Sequence, residues 1–151
     1  MTAKSTIDSD VWRLFYDRIK AQVTSVNITG PATITIQNYG SDFPDNLIDK
    51  SSEYPILLVE DPILPTERDT LGRDKMNGYI TVTIFTTQKE AGSKFISAIR
   101  DAIETYRPTL SINSITEVFP QETQYDNVKR GQIKIHMKSI TFNFKFRYNI
   151  S

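Results

Sequence analysis

The chain of 151 residues contains no cysteine and a single histidine, His136. The absence of cysteine excludes disulfide frameworks, thiolate zinc sites and thiol nucleophiles. One imidazole excludes the paired histidine ligands of an HExxH helix. His136 alternates with Lys134 and Lys138 along a strand-like segment, which predicts a solvated side chain. A Ser-His-Asp site is not indicated because no GxSxG elbow accompanies the histidine.

Glycine-rich motifs and long apolar runs are also missing. The six glycines are too scattered to form GxGxxG or GxxxxGK, so we expect no nucleotide cradle and no cofactor. No apolar run approaches the roughly 20 residues that span a bilayer, and the polar start MTAKSTIDSD has no signal-peptide core. We therefore expect a soluble, unexported protein with no membrane partner. Eighteen Lys and Arg balance eighteen Asp and Glu, and this neutrality argues against a generic nucleic-acid binder.

Two segments have the apolar spacing of amphipathic helices. The first runs from Asp8 to Val26, and the second runs from Lys89 to Arg107, where Pro108 closes the pattern. The length fits one domain, residues 1–151. Strand-like patterns occupy ATITIQNY, YPILLVE, GYITVTIFTTQ, part of the segment 111–119 and the closing GQIKIHMKSITFNFKFRYNIS. Loops or turns are predicted for residues 40–53, DPILPTERDTLGRDKMNG and PQETQYDN. The predicted fold is α+β, with a mainly antiparallel or mixed sheet packed against two helices.

The closing strand pattern changes phase part-way along. Apolar residues occupy odd positions from Ile133 to Met137 and even positions from Ile140 to Ile150, so a regular strand would turn the two sets to opposite faces. Fully extended, the segment would span roughly 60 Å, whereas a chain of this size has a diameter of roughly 40 Å. We expect a bulge or break near residues 138–139, or a strand that projects beyond its own subunit. The aromatic even set is expected in the core: Phe142, Phe144, Phe146 and Tyr148.

Charge is distributed unevenly along this neutral chain. Residues 42–61 include six acids and one lysine, whereas residues 129–147 include six Lys and Arg and no acid. The two segments either pair within one subunit, or are separately solvated, or form a head-to-tail interface that closes into a ring. The interface candidates are Asp42, Asp45, Asp49, Glu60, Asp61, Lys129, Arg130, Lys134 and Lys138.

Carboxylates cluster a second time, in the long loop after the YPILLVE strand. A nuclease could use such groups, for example Asp61 and Asp74, to hold a divalent ion. The basic residues that alternate with them would compete for their oxygens, so a self-neutralised loop is preferred and no metal or catalytic residue is predicted. The acids of this loop are Glu67, Asp69 and Asp74, and its basic residues are Arg68, Arg73 and Lys75. A nucleic-acid binder that uses the basic closing strand is a further alternative.

The block GYITVTIFTTQKEAGSKFISAIRDAIETYR resembles the tail terminator, or tail completion, proteins of long-tailed bacteriophages. The likeness lies in Gly78 ahead of an alternating strand, in Gly92 after a short turn, and in a helix with an Ala-Ile-Arg-Asp-Ala-Ile pattern. The flanking order is also similar, with WRLFYDRI before this block, YPILLVE ahead of the long loop and KSITFNFKFRY at the end.

The resemblance implies a structural virion protein of the tail and neck, assembled in the host cytoplasm, which is not an enzyme. Such a protein forms a ring, expected to be a hexamer, that caps the tail tube, stops its polymerisation and provides the head-tail joining surface. Its partners are copies of itself, the tail tube protein and the head-side connector, and DNA can pass through the ring without specific recognition. The tube or connector contacts would then be Arg68, Asp69, Arg73, Asp74 and Lys75. The nearest alternative is another neck component, a head-closure ring or a tail-tube-like subunit.

Overall fold

The structure is a computed structural model that describes residues 7–42, 51–64, 75–113, 115–130 and 133–147. Two α-helices pack on one face of a five-stranded sheet, and a two-stranded sheet lies beside them. No helix in these ranges is long and apolar enough to cross a membrane. In chain order, the elements are α1 (Ile7–Gln22), β1 (Ser25–Ile28), β2 (Ala32–Thr35), β3 (Asn38–Gly40), a 3₁₀ turn (Ser51–Glu53), β4 (Ile56–Val59), β5 (Lys75–Thr86), α2 (Lys89–Ile112), β6 (Ile115–Arg130) and β7 (Ile133–Arg147).

The five-stranded sheet has the order β3-β4-β5-β7-β6. The β3–β4 pair is parallel, and the other neighbours are antiparallel. The predicted α+β class, with a mixed sheet against two helices, is confirmed. β3 and β6 form the two edges, and β7 lies between β5 and β6.

The main core fills the space between the helices and the sheet. Phe15 of α1 stands over β7, with ring centroids 5.5 Å from Phe144 and 6.3 Å from Phe142. α2 contributes its predicted apolar stripe, which includes Phe95 and Ile99. The expected core positions of Phe142, Phe144 and Phe146 are confirmed, whereas Tyr148 lies outside the described residues. Burial of each such ring stabilises the fold by about 1.5–3 kcal/mol.

β7 is one unbroken strand, so the expected bulge or break near residues 138–139 is wrong. Its pairing with β5 runs without a shift from Lys75 opposite Arg147 to Thr86 opposite His136. The change of apolar phase has another cause, because both sheet faces bury apolar side chains. The odd set includes Ile135, which is 2% exposed and packs in a second cluster with Tyr54, Ile56 and Leu58 on the face away from the helices.

The register shifts occur instead in the edge strand β6. They lie between Thr116 and Phe119 and between Pro120 and Glu122, and Glu117 has a positive φ of 52°. The segment PQETQYDN, predicted as a turn, is part of this strand. An edge strand can hold proline and can lack apolar alternation, because one side of its backbone is unpaired and few of its side chains are buried.

The helix boundaries differ from the prediction at two ends. α1 ends at Gln22, and Val26 belongs to β1 rather than to the helix. α2 continues through Pro108 to Ile112. Proline removes one backbone hydrogen bond, but Leu110 beyond it is fully buried in the core, and this packing retains the last helical turn.

Candidate functional site

The sheet face turned away from α1 and α2 is called here the open face. Its centre is a strip of hydroxyl groups, where Thr81 Oγ1 lies 2.9 Å from Thr141 Oγ1 on the neighbouring strand. Thr83 lies opposite Ser139 one step further along, and both are buried. Alternate residues of β5 and β7 place these hydroxyls on one face. The open face is therefore polar at its centre.

A groove crosses this strip and carries a group of carboxylates, the acidic groove, defined by Asp42, Glu60 and Asp61. One part, of about 580 Å³, is lined by Asp42 and Glu60, and an adjoining part, of about 370 Å³, is lined by Glu60 and Asp61. All three side chains are exposed. Glu60 Oε2 accepts a long hydrogen bond of 3.4 Å from Thr83 Oγ1. The groove therefore holds negative charge on a polar floor.

Two hydrogen bonds at the end of β4, one of them from helix α1, fix where the acidic groove begins. The indole Nε1 of Trp12 on α1 donates a 2.6 Å hydrogen bond to the carbonyl of Val59, the last residue of β4. The next N–H, of Glu60, donates to the carbonyl of Thr81 at 2.9 Å. Because both bonds hold the end of β4, Glu60 and Asp61 leave the sheet at a defined place.

At one end of the open face lies an apolar row that includes three exposed side chains. Ile63 bridges to Tyr79, and Tyr79 and Phe119 are both paired with Asn143 of β7. The exposed fractions are 64% for Ile63, 39% for Tyr79 and 55% for Phe119. Asn143 Oδ1 is buried there with no hydrogen-bond partner among the described residues. Large exposed apolar side chains in a row are typical of contact surfaces.

At the other end of the sheet lies the basic hairpin, defined by Tyr125–Arg130 of β6 and Ile133–Lys138 of β7, and only its outer part continues beyond β5. The last β5 pair is Thr86 with His136, so residues 133–135 of β7 pair with β6 alone. The register sets Lys129 directly opposite Lys134.

An aromatic pair on the hairpin is surrounded by lysines. The Tyr125 hydroxyl lies 2.8 Å from Nδ1 of His136, and the ammonium groups of Lys89 and Lys138 lie 5.1 and 5.7 Å from the Tyr125 ring centre. Lys138 Nζ also donates to Ser93 Oγ at 2.6 Å. Partial burial, followed by the charges of Lys134 and Lys89, lowers the pKa of His136 below its ordinary value. His136 lies on the predicted face but is half-buried rather than fully solvated.

The structure brings part of each predicted interface set together. Asp42, Glu60 and Asp61 share the acidic groove, and Lys134 and Lys138 share a strand face of the basic hairpin. The backbones of Lys129 and Arg130 end β6 in the same hairpin. Lys75 begins β5, opposite Arg147. The remaining candidates lie outside the described residues: Asp45, Asp49, Arg68, Asp69, Arg73 and Asp74.

Two ion pairs within the described part of the chain involve none of the interface candidates. They join Lys94 with Glu90 at 3.9 Å and Lys145 with Glu117 at 3.1 Å. In the described part of the chain, no three His, Asp or Glu side chains are grouped to hold a metal ion. No known family model matches the chain, and no curated protein matches it.

Proposed function

We propose that this protein is a structural subunit of a bacteriophage tail, a tail terminator that forms a ring on the tail tube, stops tube polymerisation and offers a joining surface to the head. The observation that carries the proposal is the separation of charge within one subunit. The acidic groove lies on the sheet face away from the helices, whereas Lys134 and Lys138 lie on the helix face, on the same side of β7 as Ile140 and Phe142. A head-to-tail ring needs two such complementary surfaces on every copy.

The distance between the two surfaces argues against neutralisation within one subunit. Val59, at the end of β4, lies opposite Val82, and Val82 lies opposite Ile140 of β7. Lys134 is six residues further along β7 than Ile140, which corresponds to roughly 20 Å at about 3.3 Å per residue. This exceeds the Debye length of about 8 Å at physiological ionic strength. Lys134 is therefore screened from the groove of its own subunit. Lys138 is only two residues from Ile140, but it lies on the opposite sheet face from the groove.

The apolar row provides a surface for a different partner. A terminator must bind a tube ring on one side and refuse a further tube ring on the other, so its two ring faces need different chemistry. The segment that carries Arg68 to Lys75 follows Ile63 closely in sequence and ends at the first residue of β5, four residues before Tyr79. We assign the apolar row and this segment together to contact with the tube or the connector.

The proposal is tested by native mass measurement followed by electron microscopy with purified tail tubes. We expect rings of the protein, favoured at higher concentration, that bind only at tube ends and prevent added tube protein from extending them. A particle that stays monomeric at high concentration and with tubes would overturn the proposal. Decoration along tube sides would also contradict it and would favour a tube-like subunit.

A further inference from the structure

We infer that the lysine cluster around Tyr125 and His136 is a carboxylate-binding surface, and that it receives the acidic groove of a second copy of the chain. The cluster consists of Lys89, Lys134 and Lys138. This inference rests on the proposed ring and names the contact that would close it. It adds Lys89 of α2 and the Tyr125–His136 pair to the interface expected from sequence.

The lysine cluster has no carboxylate partner among the described residues. Lys138 Nζ binds a neutral hydroxyl, that of Ser93. Glu90, next to Lys89 in sequence, is engaged elsewhere: its carboxylate accepts hydrogen bonds from the N–H and hydroxyl of Thr29 at 3.1 and 2.7 Å. Within the described part of the chain, the positive charge of the cluster is therefore not neutralised by a carboxylate.

The hairpin's own acid points away from this cluster. Asp126 is paired with Met137, whereas Tyr125 is paired with Lys138, so Asp126 and Tyr125 lie on opposite faces of the hairpin. Asp126 Oδ1 accepts a hydrogen bond from the N–H of Asn127. Among the described residues of the hairpin, the face that carries Lys134 and Lys138 therefore also carries Tyr125, Asn127 and His136 but no carboxylate.

The aromatic pair gives the cluster a fixed base. The rings of Tyr125 and His136 stack with centroids 6.0 Å apart and an angle of 23° between their planes. The charged groups that lower the pKa of His136 are Lys134 on its own strand and Lys89 on α2, after the larger effect of burial. The protonated form of His136 is thus disfavoured in the free subunit, and carboxylates that approach the cluster would reverse this bias.

The acidic groove has walls that suit lysine side chains. Phe85 and Met137 line the groove beside Asp42 and Glu60. Lysine buries its methylene stem against apolar surface while its ammonium group remains near charge and water. The hydroxyl strip on the groove floor offers further acceptors for ammonium hydrogen atoms. Groove and cluster therefore match in charge and in the placement of apolar surface.

A second copy is favoured as the occupant because each subunit carries both halves of the contact. Lys134 and Lys138 lie on the helix face of β7, whereas the groove lies on the opposite face, so the cluster of one copy does not meet its own groove. Residues 133–135, which include Lys134, extend past the end of β5. A heterologous contact of this kind repeats from copy to copy and closes into a ring when the rotation permits.

Charge reversal with complementation tests the contact. The groove variant carries Asp42→Lys, Glu60→Lys and Asp61→Lys, and the cluster variant carries Lys89→Glu, Lys134→Glu and Lys138→Glu. Sedimentation velocity should show that each variant alone needs a roughly 100-fold higher concentration to assemble, since like charges would face each other. An equimolar mixture should assemble again. When the two variants alternate around the ring, every contact joins a positive surface to a negative one. A matched control reverses three exposed helix residues, Arg13→Glu, Lys20→Glu and Lys94→Glu, and should assemble as the wild type does.

Three outcomes overturn the inference: assembly that survives both reversals, a mixture that stays dissociated although circular dichroism shows both variants folded, and an equal loss in the control. If a reversed variant fails to fold, the double variant Lys89→Gln and Lys138→Gln replaces it and should weaken assembly at least tenfold. NMR titration of His136 provides a second readout, since its pKa should rise on assembly. An unchanged His136 pKa in wild-type rings would also contradict the contact.

Binding to tail tubes separates this inference from the proposed function. If the mixture of charge-reversed variants forms rings but wild-type rings do not bind tube ends, the proposed contact is supported and the proposed tail function is refuted. If wild-type rings cap tubes and both charge-reversed variants still assemble, the proposed tail function is supported and the proposed contact is refuted.

Discussion

Tyr125 and His136 are diagonal neighbours across the β6–β7 hairpin, with the tyrosine hydroxyl 2.8 Å from Nδ1 of the imidazole. Their direct cross-strand partners are Lys138 and Asn127. The contact lies where β5 ends, since Thr86 is the last β5 residue paired with β7. The Tyr125–His136 contact therefore links β6 and β7 at the point where β5 ends beside them.

Replacing His136 with Gln should remove a pH dependence of stability. The pKa of His136 is lowered from 6.5 by burial and by Lys134 and Lys89, so the folded state binds fewer protons than the unfolded state. This lowers stability below the folded pKa, and stability rises with pH from there to about 6.5. Urea unfolding of the subunit at a series of pH values should show this rise in the wild type and a smaller one in His136→Gln. Equal slopes in both proteins would contradict the assignment.

Phe144→Ala should lower the free energy of unfolding by about 3–5 kcal/mol, because it empties a buried site beside Phe15. Phe119→Ala is the matched control, since the same ring is removed from the exposed face. The loss of unfolding free energy in Phe119→Ala should stay near 1 kcal/mol. This figure includes the contact of the Arg107 guanidinium carbon with the Phe119 ring centre at 5.2 Å. Chemical denaturation of both variants measures the difference, and similar losses would show that Phe144 is not part of the core.

Gly78 is required by close packing in β5. A Cβ there would lie 2.8 Å from Leu64 Cδ2 and 2.9 Å from Phe144 Cε2. The Leu64 end can move, but the Phe144 ring is packed in the core, so Gly78→Ala should destabilise the fold by about 1–3 kcal/mol. Gly40→Ala is the control, because its Cβ would meet the Asp42 carbonyl oxygen at an ordinary 3.7 Å. Thermal unfolding of the two variants should separate them, and equal midpoints would refute the packing argument.

Glu90 connects the start of α2 to the residue after β1. Hydrogen bonds from the side chain and N–H of Thr29, followed by the charge of Lys94, lower the pKa of Glu90. The stabilisation is complete above the ordinary value of 4.5 and is lost as pH falls through the lowered folded value. The wild type should therefore exceed Glu90→Gln in melting temperature at neutral pH, and the gap should narrow in acid. Glu104→Gln, on the exposed face of the same helix, should show no such gap.

The elements that bury one apolar stripe were predictable from sequence. The stripe of α2 and the alternation of β5 identify both elements because their periods reflect a single buried face. β7 was harder, since Ile135 and Phe142 are buried on opposite faces of the same sheet. A one-dimensional pattern cannot distinguish a strand that is covered twice from a strand with a bulge. Only the start of β6, within residues 111–119, was predicted as a strand; the rest was missed because its pairing, rather than its burial, holds it in the sheet.

Half of the candidate interaction surface could likewise be predicted from the sequence. Local sequence brings Glu60 and Asp61 together, and the charge count along the chain identifies the basic closing segment. Lys89 and Tyr125 were missed because they come from other elements, a helix start and a segment predicted as a turn. The register of β6 on β7 places Tyr125 beside His136, and the packing of α2 on the sheet places Lys89 near Tyr125. Neither arrangement is encoded in charge spacing.

Trp12 is the only tryptophan in the chain. Its indole lies on Tyr16, with centroids 4.3 Å apart, and bonds the carbonyl of Val59 just before the acidic groove. The molecule thus contains a natural fluorophore that responds to the order of the β4 terminus from the reverse side of the sheet. Its emission can follow the groove during assembly without a label on the docking surface.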